Sequence, residues 1–141
     1  MKNDPPSPFA APHAEIESAG LAFLAEFFEI ATRHRPDDID VLAELGHVYT
    51  RLGRLQEGLE IDLRLVGLVP DNPTAHYNLA CSLALLGRRA PALESLERAV
   101  ELGYADPEYL LEDDDLKSLR EEPRFAELVS RLERSQKKEA R

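Results

Sequence analysis

A 34-residue repeat constrains the fold of this chain more than any other feature. Small and apolar residues of one segment recur 34 residues later: Leu45 as Leu79, Gly46 as Ala80, Leu52 as Leu86, Gly53 as Gly87 and Leu65 as Ala99. A constant period of this length is the signature of stacked helical hairpins, in which each hairpin buries its apolar face against its neighbours. The period therefore predicts an all-α protein.

Apolar spacing and chain breakers divide the sequence into helices. The predicted helices cover residues 14–35, 39–52, 55–68, 74–86 and 90–102, and a last one starts near residue 123. Gly53, Gly87 and Gly103 follow three of these helices, where glycine is the favoured C-terminal cap. The resulting organisation is a disordered arm (1–13), an N-terminal capping helix (14–36), two complete units (39–72 and 73–106), a C-terminal capping segment (107–134) and a polar tail (135–141).

Charge and cysteine content narrow the class of partner. The 141-residue chain carries a formal charge of −10 and is 43% hydrophobic. Such an acidic protein repels phosphate backbones and anionic membrane surfaces, so we expect neither nucleic acid nor membrane as a partner. A single cysteine, Cys81, excludes an intramolecular disulfide. With no leader-like or membrane-spanning apolar stretch in the sequence, a cytoplasmic location is expected.

The repeat resembles the tetratricopeptide family, whose helix–turn–helix unit has about 34 residues. In the first unit the matching positions are Leu42, Leu45, Gly46, Tyr49, Gly58, Asp62, Leu65 and Pro70; in the second they are His76, Leu79, Ala80, Leu83, Ala92, Leu96, Ala99 and Tyr104. Asp62 and Leu96 stand where the family usually has an aromatic residue. The resemblance implies a short, right-handed solenoid of antiparallel helical hairpins that acts as an interaction scaffold.

The two ends of the chain extend this resemblance. Phe28, Ala31 and Pro36 make the first helix similar to the second half of a further unit. The segment from Gly103 to Phe125 resembles the closing segment of many bacterial tetratricopeptide proteins. Since about three repeats are needed for stability, both ends are expected to act as caps that complete the core.

Motifs of the common enzyme classes are missing. The sequence has no G-x-x-x-x-G-K-[ST], G-x-G-x-x-G, H-E-x-x-H, C-x-x-C or G-x-S-x-G. We therefore expect a protein that is not an enzyme and that needs no cofactor.

The family resemblance places the partner in a concave groove lined by the first helix of each unit. By position, the groove residues are Asp40, Glu44, His47, Thr50, Arg51, Thr74, Tyr77, Asn78, Cys81 and Leu85. Such a groove would bind a peptide or a helix of a partner protein through apolar pockets and a few side-chain hydrogen bonds. Asn78 suits this role because its amide both donates and accepts, although it is also common in the repeat.

Two features keep alternatives open. His47 and Cys81 lie 34 residues apart, in equivalent positions of consecutive units, so a metal- or thiol-dependent enzyme is the alternative of another class. The run Glu112 to Asp115 could suggest a cation site, but we expect a solvated loop with helix-capping aspartates, because it lacks the alternation and glycine of a calcium loop.

A second binding surface is predicted on the first helix. Phe23 and Phe27 form an apolar patch if they do not pack inside the array, and such a patch calls for a partner protein or a homodimer mate. A secretion-type chaperone is a further alternative, since those proteins are also small, acidic and built from such repeats.

Overall fold

The fold is known from a computed structural model, which describes residues 13–140. The described residues form seven α-helices and one 3₁₀ helix, with no β-strand among them: α1 His13–His34, α2 Ile39–Arg51, α3 Leu55–Leu68, α4 Pro73–Leu85, α5 Arg89–Glu101, α6 Pro107–Glu112, the 3₁₀ helix Asp114–Leu119 and α7 Pro123–Glu139. The prediction of an all-α protein is confirmed. Apart from His13, where α1 begins, the predicted arm lies outside the described residues.

Helix ends follow the sequence signals. Gly53, Gly87 and Gly103 adopt positive φ angles of 76°, 75° and 116°. After each glycine, the next backbone N–H donates to the carbonyl five residues earlier, as in the bond from Arg54 to Tyr49. This geometry closes α2, α4 and α5, and it needs a residue without a Cβ at the positive φ. The predicted boundaries of α2 to α5 agree with the structure to within one residue.

Consecutive helices pack against one another along α1 to α5. Helices α2 and α3 approach closely at Gly46, where an added Cβ would lie 3.1 Å from Cγ2 of Ile61. Ala80, the equivalent residue of α4, is fully buried. A larger side chain at Gly46 would therefore overpack the crossing of the two helices.

The core has two parts of unequal size. A large cluster joins α4 and α5 to the C-terminal elements through Leu96, Leu110, Leu116, Leu119 and Phe125, all at most 1% exposed. A smaller cluster joins α1 to α2. The C-terminal segment thus forms part of the larger core cluster.

The last helix extends into the predicted polar tail. Helix α7 continues to Glu139, because Gln136, Lys137 and Lys138 are good helix formers that stay in solvent.

Within residues 13–140, no helix combines the length and apolar content required to cross a bilayer.

Candidate functional site

The predicted groove residues of α2 lie on an exposed surface. Asp40, Glu44, His47 and Arg51 are exposed, and Arg51 forms an ion pair with Glu17 of α1, with N and O 2.5 Å apart. Thr50 is half-buried, and its hydroxyl donates to the carbonyl of Gly46 at 3.0 Å. Helix α2 therefore presents a polar strip with charges of both signs.

The predicted groove residues of α4 have a different environment. Tyr77 and Cys81 are buried, at 6% and 8% exposure, whereas Asn78 and Leu85 are half-buried and Thr74 is exposed. The reason is that the 3₁₀ helix packs directly against α4. The protein's own C-terminal segment therefore covers the part of the groove that the second unit was expected to offer to a partner.

Asp113 fastens this segment to α4. Its Oδ2 atom accepts a hydrogen bond from the Tyr77 hydroxyl at 2.6 Å and lies 3.8 Å from Sγ of Cys81. Its Oδ1 atom accepts from the backbone N–H of Asp115 and so caps the 3₁₀ helix. The expectation of helix-capping aspartates is confirmed here. The expectation of a solvated loop is wrong for Asp113, because its carboxylate bridges two elements of the core.

A cavity of about 160 Å³ opens where α2, α3, α4 and the C-terminal segment meet. Its lining residues are Ala43, Gly46, His47, Thr50, Asp62, Tyr77, Asn78, Cys81, Ser82, Tyr109, Asp113 and Asp115. The cavity unites five of the ten predicted groove residues. Asp40, Glu44, Arg51, Thr74 and Leu85 lie outside it.

Sequence reasoning missed the acidic wall of this cavity. Asp113 and Asp115 are 66 and 68 residues away from His47 in the sequence, and only the return of the C-terminal segment brings them to it. One signal was present in the sequence: Leu116 and Leu119 follow the acidic run at helical spacing, which indicates that the run belongs to a packed element.

The cavity is electronegative. Within residues 13–140, neither Asp113 nor Asp115 forms an ion pair with a Lys or Arg side chain. Burial raises the pKa of the Asp115 carboxyl, and the charges of Asp113 and Asp114 add to this rise, whereas His47 opposes it. A cationic group that entered the cavity would therefore find two carboxylates without a countercharge.

The same environment makes Cys81 a poor nucleophile. Burial raises the pKa of its thiol well above the ordinary value, and the carboxylates of Asp113 and Asp115 raise it further. A nucleophilic or metal-binding cysteine acts as the thiolate, which this environment disfavours. One ligand atom from each of Cys81, Asp113 and Asp115 can lie within 4.8 Å of the others, but both oxygens of Asp113 already accept hydrogen bonds.

Asp62 is a buried carboxyl at the back of the cavity. It is 5% exposed and accepts a hydrogen bond from the Ser82 hydroxyl at 2.5 Å. Burial raises its pKa from 3.8 to about 6, although the Ser82 hydrogen bond opposes the rise. At neutral pH the fold therefore holds a carboxylate at a position where the tetratricopeptide resemblance implies an aromatic side chain.

Tyrosines form the wall beside Asp113. The rings of Tyr77 and Tyr104 stack with centroids 4.7 Å apart, and the Tyr109 ring lies 5.9 Å from that of Tyr77. Tyr104 stands where the family pattern usually has proline, and its hydroxyl is buried without a hydrogen-bond partner among the described residues. This aromatic group holds the start of the C-terminal segment in place.

The second predicted surface, on α1, is exposed. Phe23 and Phe27 are 68% and 56% exposed, and they do not pack inside the array. The opposite side of α1 is attached to its neighbours, because Glu29 accepts a hydrogen bond from the Tyr49 hydroxyl at 2.8 Å and forms an ion pair with Arg54 at 3.3 Å. The patch is therefore carried by a helix that is firmly attached to its neighbour.

Comparison with known proteins bears on the C-terminal part of the chain. The profile of a family described as "A/B hydrolase-like, N-terminal domain" matches residues 65–141, which is more than half of the chain. The chain belongs to this family. The matched residues contain α4 to α7, and so most of the large core cluster and the segment that covers α4.

Two curated proteins are similar over about two thirds of the chain. The first is a protein of Arabidopsis thaliana whose name describes it as chloroplastic. It is 30% identical over 93 residues, which are 64% of this chain and 28% of that protein. Superkiller protein 3 of Saccharomyces cerevisiae is 27% identical over 88 residues, which are 62% of this chain and 6% of that protein. The chain spans less than a third of the length of either relative.

Proposed function

We propose that this A/B hydrolase-like N-terminal domain is a non-catalytic interaction module of tetratricopeptide type, which binds a peptide or helix of a partner protein. The hairpins α2–α3 and α4–α5 would be its two units in a short right-handed solenoid, capped by α1 and by the segment α6 to α7. Equivalent positions of the two units, 34 residues apart, have similar environments, which supports this proposal. Leu45 and Leu79 are both buried, and Gly53 and Gly87 have nearly equal φ angles.

The observation that carries the proposal is the cavity beside the exposed strip of α2. Because the 3₁₀ helix covers α4, a partner segment would lie along Asp40, Glu44 and His47 and reach the cavity between His47 and Asp115. Carboxylates dominate this path, so a segment with lysine or arginine side chains matches it best. The net charge of −10 opposes nucleic acid and membranes as partners, and the single cysteine suits the proposed cytoplasmic location.

Affinity capture followed by quantitative mass spectrometry tests the groove. The wild-type chain is compared with the double variant Glu44→Lys/His47→Ala, in which two exposed residues of the strip change. Glu60→Lys is the matched control, because Glu60 is exposed on α3, away from the cavity, and undergoes the same charge reversal. A partner of this groove is lost from the double variant and kept by the control. Equal recovery from all three proteins contradicts the proposed binding surface.

The absence of catalysis needs a separate measurement. Elemental analysis of the purified protein after dialysis against Zn²⁺ reports any stoichiometric metal. We expect no bound metal, because Asp113 already accepts hydrogen bonds from Tyr77 and Asp115 and burial disfavours the Cys81 thiolate. One equivalent of zinc that Cys81→Ser abolishes would overturn the non-catalytic proposal in favour of the metal- or thiol-dependent alternative.

A further inference from the structure

Helix α1 has apolar side chains on two opposite faces. Leu21, Ala25 and Phe28 pack in the smaller core cluster against α2. The other face carries large apolar residues that are all more than half exposed: Ile16, Phe23, Phe27 and Ile30. Burying several such side chains together contributes about 1.5–3 kcal/mol each, so this second face is a candidate interface rather than scattered surface apolar residues.

The spacing of the exposed face specifies a helix as its occupant. Ile16, Gly20, Phe23, Phe27 and Ile30 follow one another at intervals of four, three, four and three residues. This alternation is the seam of a two-helix coiled-coil packing, in which side chains of one helix fit between those of the other. A Cβ added at Gly20 would meet no atom within 4 Å, so the seam has an open notch at this position.

The sequence of residues 1–12 contains four prolines and no heptad pattern, so it does not match this seam. The helices α2 to α5 already pack against one another in chain order. The exposed face of α1 is therefore open to a helix of another molecule.

We propose that a second copy of this chain covers the face, with the two α1 helices packed antiparallel across a two-fold axis between Phe23 and Phe27. In this register Phe23 of one copy faces Phe27 of the second copy, and the notch at Gly20 faces Ile30 of the second copy. A large residue thus fills the notch at Gly20, and Phe23 and Phe27 contact each other near the axis. The same surface serves both molecules, as a closed two-fold dimer requires.

Charge along α1 supports the antiparallel direction. Its first turn carries Glu15, and its last turn carries Arg33 and His34. Antiparallel packing places the acidic end of each helix near the basic end of the other and opposes the two helix dipoles. Glu26 of the two copies meets near the axis, and this like-charge contact limits the affinity.

The oligomeric state of the full chain tests the proposal. Sedimentation velocity over a range of concentrations is expected to show a reversible dimer for the wild type. Phe27→Glu is expected to weaken it by at least about 30-fold, because the substitution places a charge in the seam. Leu63→Glu is the matched control, since Leu63 is 53% exposed on α3, outside the seam, and this variant keeps the wild-type dimer.

Circular dichroism of both variants checks that the monomer stays folded. A wild-type chain that remains monomeric at the highest concentration reached overturns the proposal, and so does a dimer that Phe27→Glu leaves intact. Binding to a foreign helix by a monomeric wild type would assign the face to another protein and would also overturn the second copy as its occupant.

Crosslinking tests the direction of the helices. In the antiparallel register the two Leu24 residues lie near the axis, whereas the two Ile16 residues are about 27 Å apart at 1.5 Å per residue. Mild oxidation is therefore expected to link Leu24→Cys into a covalent dimer and to leave Ile16→Cys unlinked. Cys81 is buried and common to both variants. Linkage of Ile16→Cys alone would indicate parallel helices and would overturn the proposed arrangement.

Discussion

The two ends of this stack of helices differ in how much of the outermost helix is covered. Each end of a stack of helices leaves one helix with a neighbour on only one side. At the C-terminal end, α6, the 3₁₀ helix and α7 fold back, and only Asn78 is not buried between Ala75 and Ala84 of α4. At the N-terminal end, α1 buries Leu21 and Ala25 and leaves Phe23 and Phe27 exposed. The C-terminal, closed end is covered by its own chain, whereas the N-terminal, open end leaves an apolar face of α1 exposed.

This difference suggests a division of roles within the chain. The family match covers residues 65–141, which include the closed end. There the apolar side chains are buried in the large core cluster, where they stabilise the fold. The polar strip of α2 and the exposed face of α1 lie outside the matched residues. The proposed surface of α1 thus lies wholly at the open end, whereas the proposed groove begins on α2 and reaches the matched residues at the cavity.

The largest expected contrast comes from truncating one phenylalanine at each end. Phe125→Ala removes a side chain that is 1% exposed in the closed end, and it should lower the free energy of unfolding by about 3–5 kcal/mol. Phe23→Ala should change it by less than about 0.5 kcal/mol in dilute, monomeric protein. Urea unfolding of both variants measures the contrast. Similar losses would mean that the two ends are equally packed.

The second largest effect is a pH dependence of stability caused by Asp62, which is buried where α2, α3 and α4 meet. Its pKa is about 6 in the folded protein against 3.8 in the unfolded chain, so the folded state binds the proton more tightly. The stabilisation from this group is full below pH 3.8 and is lost as the pH rises through 6. Asp62→Asn carries no titrating carboxyl at this position, so the variant does not lose stability as the pH rises through 6. At pH 7 it should be more stable than the wild type by up to about 3 kcal/mol.

Urea unfolding between pH 4 and pH 7.5 checks the sign of this effect. The advantage of Asp62→Asn over the wild type should grow with pH and level off above pH 6. Asp71→Asn, on an exposed turn, is the control and should show no such change. An advantage that is the same at every pH would contradict a buried, titrating Asp62.

A smaller effect is expected where the C-terminal segment is fastened to α4. Tyr77→Phe keeps the buried ring and removes the hydrogen bond to Asp113, which should cost about 1.5 kcal/mol. Hydrogen exchange should then speed up in the 3₁₀ helix before it does in α4, because the segment opens locally. Tyr109→Phe is the control, since Tyr109 is exposed. Unchanged exchange in Tyr77→Phe would show that apolar packing alone closes this end.

The smallest effect has opposite signs in the monomer and in the proposed dimer. Gly20→Ala adds a Cβ where no atom lies within 4 Å, so helix propensity should stabilise the monomer by about 0.5–1 kcal/mol. The same methyl group fills the notch that faces Ile30 of the second copy and should weaken the dimer. Thermal unfolding in dilute solution and sedimentation at high concentration measure the two parts. A tighter dimer would exclude the proposed register.

Local features of the fold were predictable because they depend on near neighbours in the sequence. The helix ends at Gly53 and Gly87 follow from the conformational freedom of glycine, and the small residues at Gly46 and Ala80 follow from the repeat. The exposure of Phe23 and Phe27 depended on whether a further helix exists to cover them. Periodicity alone could not decide this, because a helix with two apolar faces suits both a buried and an end position.

The sequence by itself determined an all-α chain with a 34-residue period, capped helices and an acidic surface. These properties depend on backbone preferences and side-chain spacing within a few helical turns. Only the tertiary structure decided that the C-terminal segment lies across α4, joins Asp113 to Tyr77 and brings Asp115 beside His47. That contact joins residues far apart in the chain, and it forms because burying Leu116 and Leu119 outweighs the cost of confining an acidic segment.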